Sequence, residues 1–155
     1  MQTNVPHPLG KEEFKAFLKK LDMKATPQRM AVHDAMAALV HASADMVVQY
    51  IAANSGIRVT QASVYNTLMD FSAAGLYARR LSSDSRMYFD ACPEPHIHLY
   101  DTAGSVYKDV IDAELMTMVH ERLGRKKFKG VRIDGIDIQI LCHPTRKYTR
   151  KKKEP

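Results

Sequence analysis

The chain has 155 residues, 45% of them hydrophobic, enough to bury a core in one domain or two small ones. It contains no apolar run of about eighteen residues that would read as a membrane span. Its net charge of +6 does not by itself assign a nucleic-acid partner, because the charge is unevenly placed. The segment PTRKYTRKKKEP, from Pro144 on, carries +5, residues 1–91 carry +2 and residues 92–143 carry −1. Residues 144–155 are expected to form a basic disordered tail that either solubilises the chain or touches phosphate. Two cysteines, Cys92 and Cys142, exclude a disulfide framework and fit a reducing cytoplasm. The opening MQTNVPHPLGKEEF lacks the pattern of a secretory signal.

In chain order, KEEFKAFLKKLD places Phe14, Phe17, Leu18 and Leu21 at the spacing of an amphipathic helix. The next segment, ATPQRMAVHDAMAALV, opens with Thr26 as N-cap and Pro27 at the first helical position. A third helix begins after Ser43 and ends at Asn54-Ser55-Gly56. A fourth begins after Thr60, with Val64, Leu68 and Phe71 as its buried stripe and Gly75 as its left-handed stop. LYARRL and RMYFD, separated by Ser82-Ser83-Asp84-Ser85, read as two strands and a turn. Helices followed by such a ribbon predict a winged helix-turn-helix over residues 1–91, with the fourth helix entering the DNA major groove. Its polar face offers Gln61, Ser63, Tyr65 and Asn66, with Arg79 and Arg80 on the wing. A lone tyrosine such as Tyr65 is also commonly a core aromatic.

Residues 92–143 read as a small α/β domain, so the fold class is α+β. HIHLYD and SVYKDV flank the turn Thr102-Ala103-Gly104, and the helix DAELMTMVHERLG follows with Leu115, Met118, Val119 and Leu123 apolar. VRIDGIDIQILC alternates apolar residues from Val131 to Ile140 and reads as a strand interrupted at Gly135. About fifty residues rarely build a sufficient core alone, so pairing with a second copy is expected. His96 and His98 lie two apart in this first strand and therefore share a face. That pattern fits either a solvated polar face or a pair of metal ligands.

The segments MKATPQR, HASAD and ASVYNTLMDFSAAGL, with the spacing of FD, HIH and a later D, resemble the ferric uptake regulator (Fur) family of metal-dependent bacterial repressors. The resemblance spans roughly residues 11–142. It implies a winged-helix DNA-binding domain joined to an α/β dimerisation domain, a homodimer, and a palindromic A·T-rich double-stranded operator. It places Lys24 near a minor groove. Within the family, the peroxide-sensing PerR-like branch implies a regulatory metal held by His41, Asp90, His96, His98 and Asp109. Nitrogen and oxygen donors without thiolate suit Fe(II) or Mn(II), one ion per subunit.

Two departures from the family pattern follow. The two C-x-x-C pairs of the family's structural zinc read Asp101 and Gly104, then Cys142 and Thr145, so that zinc is expected to be absent. An auxiliary site beside the H-x-H needs ligands where Pro95 and Ile97 stand. His33 and His120 read as surface or core residues, and nothing is assigned to His7 or His143. Cys92 reads either as a thiol near a redox metal or as a small buried hydrophobe.

The expected function is a repressor that responds to hydrogen peroxide through oxidation at an Fe(II) site. One alternative is a Fur-type repressor sensing iron or manganese level. Another, from a different class, is a mononuclear non-heme iron enzyme, since two histidines and a carboxylate also build such centres.

Overall fold

The computed structural model describes residues 7–145, and the chain divides into two compact units, Met1–Glu94 and Pro95–Pro155. The first unit contains α1 (Lys11–Lys20), α2 (Pro27–Leu39), β1 (His41–Ala42), α3 (Ala44–Asn54), α4 (Gln61–Ala73), β2 (Ala78–Leu81) and β3 (Met87–Asp90). The second contains β4 (Ile97–Asp101), β5 (Val106–Val110), α5 (Ala113–Gly124) and β6 (Ile138–Cys142). No helix among the described residues is long and apolar enough to cross a membrane. Most of the basic tail expected over 144–155 lies outside the described residues.

In the first unit the helix starts follow from side-chain caps. Thr26 accepts from the Arg29 N–H with Pro27 at the first helical position, Ser43 accepts from Met46, and Thr60 accepts from Ser63. Helix α4 stops where Gly75 takes φ +79° and the Leu76 N–H returns to the Phe71 carbonyl at 2.9 Å. One apolar side of each helix meets in a common core: Phe14 and Leu18, Val32 and Met36, Val47 and Ile51, Val64, Leu68 and Phe71. Each such burial contributes roughly 1.5–3 kcal/mol. Leu21, expected on the apolar stripe of α1, is instead exposed, because the helix ends at Lys20 and the chain turns through Asp22 at φ 54°.

Strands β2 and β3 form the expected hairpin, and the two-residue β1 adds to β3, giving the order β1-β3-β2. A strand of two residues leaves no periodicity to read, so the sequence alone did not reveal it. Arg79, in register with Phe89, is exposed, whereas Arg80, in register with Tyr88 on the other face, is buried, so only the first of the two arginines expected on the wing is exposed there.

The second unit is a three-stranded sheet in the order β5-β4-β6. Strands β4 and β5 pair antiparallel through the turn after Asp101, while β4 and β6 pair parallel, with α5 in the connection. Asp112 caps α5 by accepting from the Leu115 N–H at 2.8 Å. The strand expected from Val131 begins only at Ile138. Gly135 and the aspartates on either side of it favour irregular backbone, and Arg132 pairs locally with Asp134 at 2.7 Å. On α5 the buried residue is Met116, while Met118 of the expected stripe is 48% exposed.

One buried polar cluster in the first unit has a pH consequence. His33 stacks on Phe14 with ring centroids 3.8 Å apart, and its Nε2 lies 2.8 Å from the Leu9 carbonyl oxygen and its Nδ1 2.8 Å from the Tyr77 hydroxyl. A carbonyl only accepts, so the neutral ring donates from Nε2 and the Tyr77 hydroxyl donates to Nδ1. Burial lowers the His33 pKa from its ordinary value, against smaller opposing contributions from the Leu9 carbonyl and Asp34. A depressed histidine pKa stabilises the fold fully above the unfolded value of about 6.5, and that stability is lost as pH falls below it. Urea titrations at about pH 7.5 and about pH 5.5 are expected to show a smaller acid-induced loss for His33→Leu than for the unaltered chain. An equal loss contradicts a neutral His33.

Candidate metal centre

The first unit builds a half-site around a carboxylate with no solvent access. Asp90 ends the central strand β3, directly opposite His41 on β1 and Ala78 on β2. Its Oδ1 accepts the Cys92 N–H at 2.8 Å, and its Oδ2 accepts from Arg80 Nη2 at 3.1 Å. His41 Nε2 lies 3.5 Å from the same Oδ2, and the His41 and Arg80 side chains are each only 6% exposed. His41 reaches this position through a strained corner. Val40 ends α2 with φ 61° and ψ −55°, close to the rare γ-turn geometry, and its carbonyl accepts the Ala91 N–H at 2.8 Å. That hydrogen bond extends the β1–β3 ladder by one step and keeps His41 beside Asp90.

The second unit builds another half-site on one face of its sheet. His98 on β4 stands opposite Asp109 on β5, and His96 lies two residues earlier on the same side. His96 Nε2 is 2.9 Å and His98 Nε2 3.6 Å from the same Asp109 Oδ1. The two rings have centroids 4.1 Å apart, and one donor atom from each of the three residues lies within 4.8 Å of the others. Both histidines are buried, whereas solvated histidines on a polar strand face would be exposed. Two imidazoles aimed at one carboxylate oxygen fit a divalent cation that accepts nitrogen and oxygen donors.

The corner where the family's zinc would sit does not fit a Cys₄ site, because the whole chain has two cysteines. Asp101 lies opposite Cys142 in the β4–β6 pair, but its carboxylate accepts the N–H groups of Ala103 and Gly104 at 2.9 and 3.2 Å. Thr102 donates both its N–H and its hydroxyl to the Cys142 carbonyl. Hydrogen bonds close this corner of the described structure.

Of the residues read as facing DNA, Gln61, Tyr65 and Asn66 are exposed on α4, and Lys24 is exposed between α1 and α2. Tyr65 is not a core aromatic: it is 39% exposed, with its ring edge-on to Phe89 at 6.0 Å. Ser63 is half-buried, and its hydroxyl is engaged with the Thr60 N–H and carbonyl at the start of α4. Gln28 ties α2 to α4 through the Ser63 carbonyl and the Thr67 hydroxyl. A half-open cleft of about 400 Å³ is lined by Ser43, Asp45, Gln61, Tyr65 and Arg86, among others. Cys92 is buried, as a small apolar residue would be.

The pattern of the Ferric uptake regulator family matches residues 20–137. The chain belongs to that family. It is a metal-responsive transcription regulator, and the reading as a non-heme iron enzyme falls with this assignment. By fold it is similar to the ferric uptake regulator of Vibrio cholerae, with a TM-score of 0.70 and 18% identity over 84% of this chain and 99% of that one. It is also similar to the ferric uptake regulator of Pseudomonas aeruginosa, solved with manganese, at TM-score 0.67 and 22% identity over 85% and 98%. The Helicobacter pylori regulator, described with three functional metal binding sites, matches at TM-score 0.67 and 16% identity over 96% and 100%. A comparison with curated proteins by sequence gives no match.

Sequence reasoning missed two charged residues near the half-sites. Arg80 was read as a wing residue, although the alternation in ARRL already points one of its arginines inward. Asp137 lies just before β6, its Oδ1 3.7 Å from His98 Nδ1, and the strand expected across it concealed its position. The Arg80–Asp90 pair is open to a direct test. Removing one partner of a buried pair strands the other charge, so Arg80→Ala is expected to lower the stability of the chelator-treated protein by about 3 kcal/mol in urea unfolding. A loss below about 1 kcal/mol contradicts the pairing.

Proposed function

We propose that this Fur-family regulator is a homodimeric, metal-dependent DNA-binding repressor that responds to hydrogen peroxide. In this reading His41, Asp90, His96, His98 and Asp109 together hold one Fe(II) or Mn(II) per subunit, and no structural zinc is bound. The observation that carries it is the convergence of His96 and His98 on the short carboxylate of Asp109. The second half-site at His41 and Asp90 supplies donors of the same chemical type. The manganese in the Pseudomonas aeruginosa relative supports the choice of metal. The three sites described for the Helicobacter pylori relative are more than the single site proposed here, because Pro95 and Ile97 offer no side-chain donor.

Residues 1–91 are assigned to DNA binding, with Lys24, Gln61, Ser63, Tyr65 and Asn66 facing an A·T-rich palindrome. Tyr65 and Asn66 carry base or phosphate contacts on the exposed side of α4. Ser63, whose hydroxyl caps the helix, acts through the position of the helix start. Residues 92–143 are assigned to dimerisation and sensing, in the cytoplasm, and residues 144–155 to phosphate contact or solubility. The apolar residues Val106, Met118, Phe128, Val131, Ile133 and Leu141 are exposed in the single chain, which supports burial against a second copy.

Ligands drawn from both units let metal binding favour one arrangement of the units over others, and only such a difference shifts an equilibrium. When bound, Fe(II) would activate hydrogen peroxide by lending it an electron that returns as the ring is oxidised, chemistry that Mn(II) supports poorly. A ligand imidazole then takes up one oxygen atom from peroxide, and the other oxygen leaves as water. The oxidised ring of His41, His96 or His98 is a weaker donor of altered shape, so the ligand set is broken and DNA is released. A repressor sensing metal level, the second reading, uses the same donors without this covalent step.

The experiment treats the DNA-bound protein, loaded with Fe(II) or Mn(II), with hydrogen peroxide and maps the peptides by mass. The expected result is a gain of one oxygen atom on the peptide carrying His41 or on the one carrying His96 and His98, with DNA release, in the Fe(II) form alone. Unmodified protein that stays on DNA supports the metal-level reading, and modification confined to Cys92 makes the sensor a thiol.

A further inference from the structure

The sheet of the second unit places more than two histidines and a carboxylate on its polar face. His98 on β4 has two register partners: Asp109 on β5 and Gln139 on β6. Partners in register point to the same side of a sheet, and residues two apart along a strand share that side. Tyr107 accordingly joins Asp109, and Asp137, two residues before Gln139, approaches the same side. These groups form a connected chain. The Tyr107 hydroxyl donates to Gln139 Oε1 at 3.0 Å, and Gln139 Nε2 donates to Asp137 Oδ2 at 2.9 Å. The other carboxylate oxygen of Asp137, Oδ1, lies 3.7 Å from His98 Nδ1. Tyr107 also packs edge-on against the His98 ring, with centroids 5.9 Å apart.

The two nitrogens of His98 therefore have different environments. Nε2 faces Asp109 and His96, on the side of the proposed ion, whereas Nδ1 faces Asp137. We infer that Asp137 is a positioning residue for the metal centre: it accepts the Nδ1–H of His98, fixes the tautomer that leaves Nε2 as the donor, and holds the ring toward Asp109. This inference rests on the proposed metal site at His96, His98 and Asp109.

A ligating imidazole needs a lone pair on one nitrogen and carries its proton on the other, and a carboxylate bonded to that proton makes the ring a better donor. The distance of 3.7 Å is longer than a hydrogen bond, so in this inference the Asp137 carboxylate and the ring close on each other when an ion seats His98. Gln139 and Tyr107 reduce the entropy lost in that step by holding the carboxylate nearby. Asp137 is 47% exposed, so replacing it leaves the fold intact.

The test uses the full chain and its Asp137→Asn and His98→Ala variants. Calorimetric titration with Mn(II) is expected to show a dissociation constant raised about 10-fold or more for Asp137→Asn, the usual effect of losing such a partner. In the Co(II)-loaded protein, the hyperfine-shifted ring N–H proton of His98, which is absent in His98→Ala, marks the bond to Asp137. It is expected to exchange slowly in the unaltered chain and to be lost to fast exchange in Asp137→Asn. A merely structural aspartate leaves that proton unchanged. If His98→Ala abolishes Mn(II) binding while Asp137→Asn matches the unaltered chain in affinity and in the His98 proton, the role of Asp137 is overturned and the metal site stands. If His98→Ala also binds Mn(II) as well as the unaltered chain does, the metal site itself is overturned.

Discussion

A carboxylate removed from water stays ionised only if other groups replace the solvent, and Asp90 has no solvent exposure. Its partners account for much of the local architecture of the first unit. Arg80 turns inward on β2 to meet it, the Cys92 N–H closes on it from the chain beyond β3, and His41 is brought opposite by a two-residue strand. The backbone at Val40, with φ 61° and ψ −55°, turns the chain from α2 directly into that strand. A hydrophobic residue at this position would be simpler for stability. Burying an acid, a histidine and an arginine together is costly for stability, which supports the role proposed for His41 and Asp90 as donors to an ion.

The second unit solves a related problem differently. Its apolar core is small, with Ile97, Tyr100, Tyr107 and Met116 the buried hydrophobic residues among those described. Two buried histidines, His98 on the central strand and His96 just before it, take up space that aliphatic side chains would fill in an ordinary sheet. Their polar atoms are compensated by Asp109 on one flank and by Asp137 on the other. The corner between β4 and β6 is closed among the described residues by hydrogen bonds of Asp101 and Thr102.

Much of this was legible in the sequence because it depends on local rules. Thr26, Ser43 and Thr60 announced their helices by capping chemistry, and Gly75 announced a stop by its tolerance of positive φ. The H-x-H spacing placed His96 and His98 on one face, but only burial separates a ligand pair from a solvated face, and burial is a tertiary property. Strand β1 was invisible because two residues carry no period. Residues 131–137 alternate like a strand yet are irregular, since alternation guarantees pairing only where a neighbouring strand is available. Arg80 and Asp137 were missed for the same reason: what each faces is decided by sheet register, and register is a long-range property.

In the proposed function, metal and DNA binding are coupled through one set of ligands. Linkage makes that coupling reciprocal: if Mn(II) tightens DNA binding by some factor, DNA must tighten Mn(II) binding by the same factor. The direct measurement is a calorimetric titration of the protein with Mn(II), with and without DNA from the region upstream of its own gene. It is paired with DNA affinities measured with and without Mn(II). Two equal factors are expected, each roughly 5-fold or larger, and both are lost in the His96→Ala variant. DNA binding of the same strength with and without Mn(II), or Mn(II) binding indifferent to DNA, would contradict it.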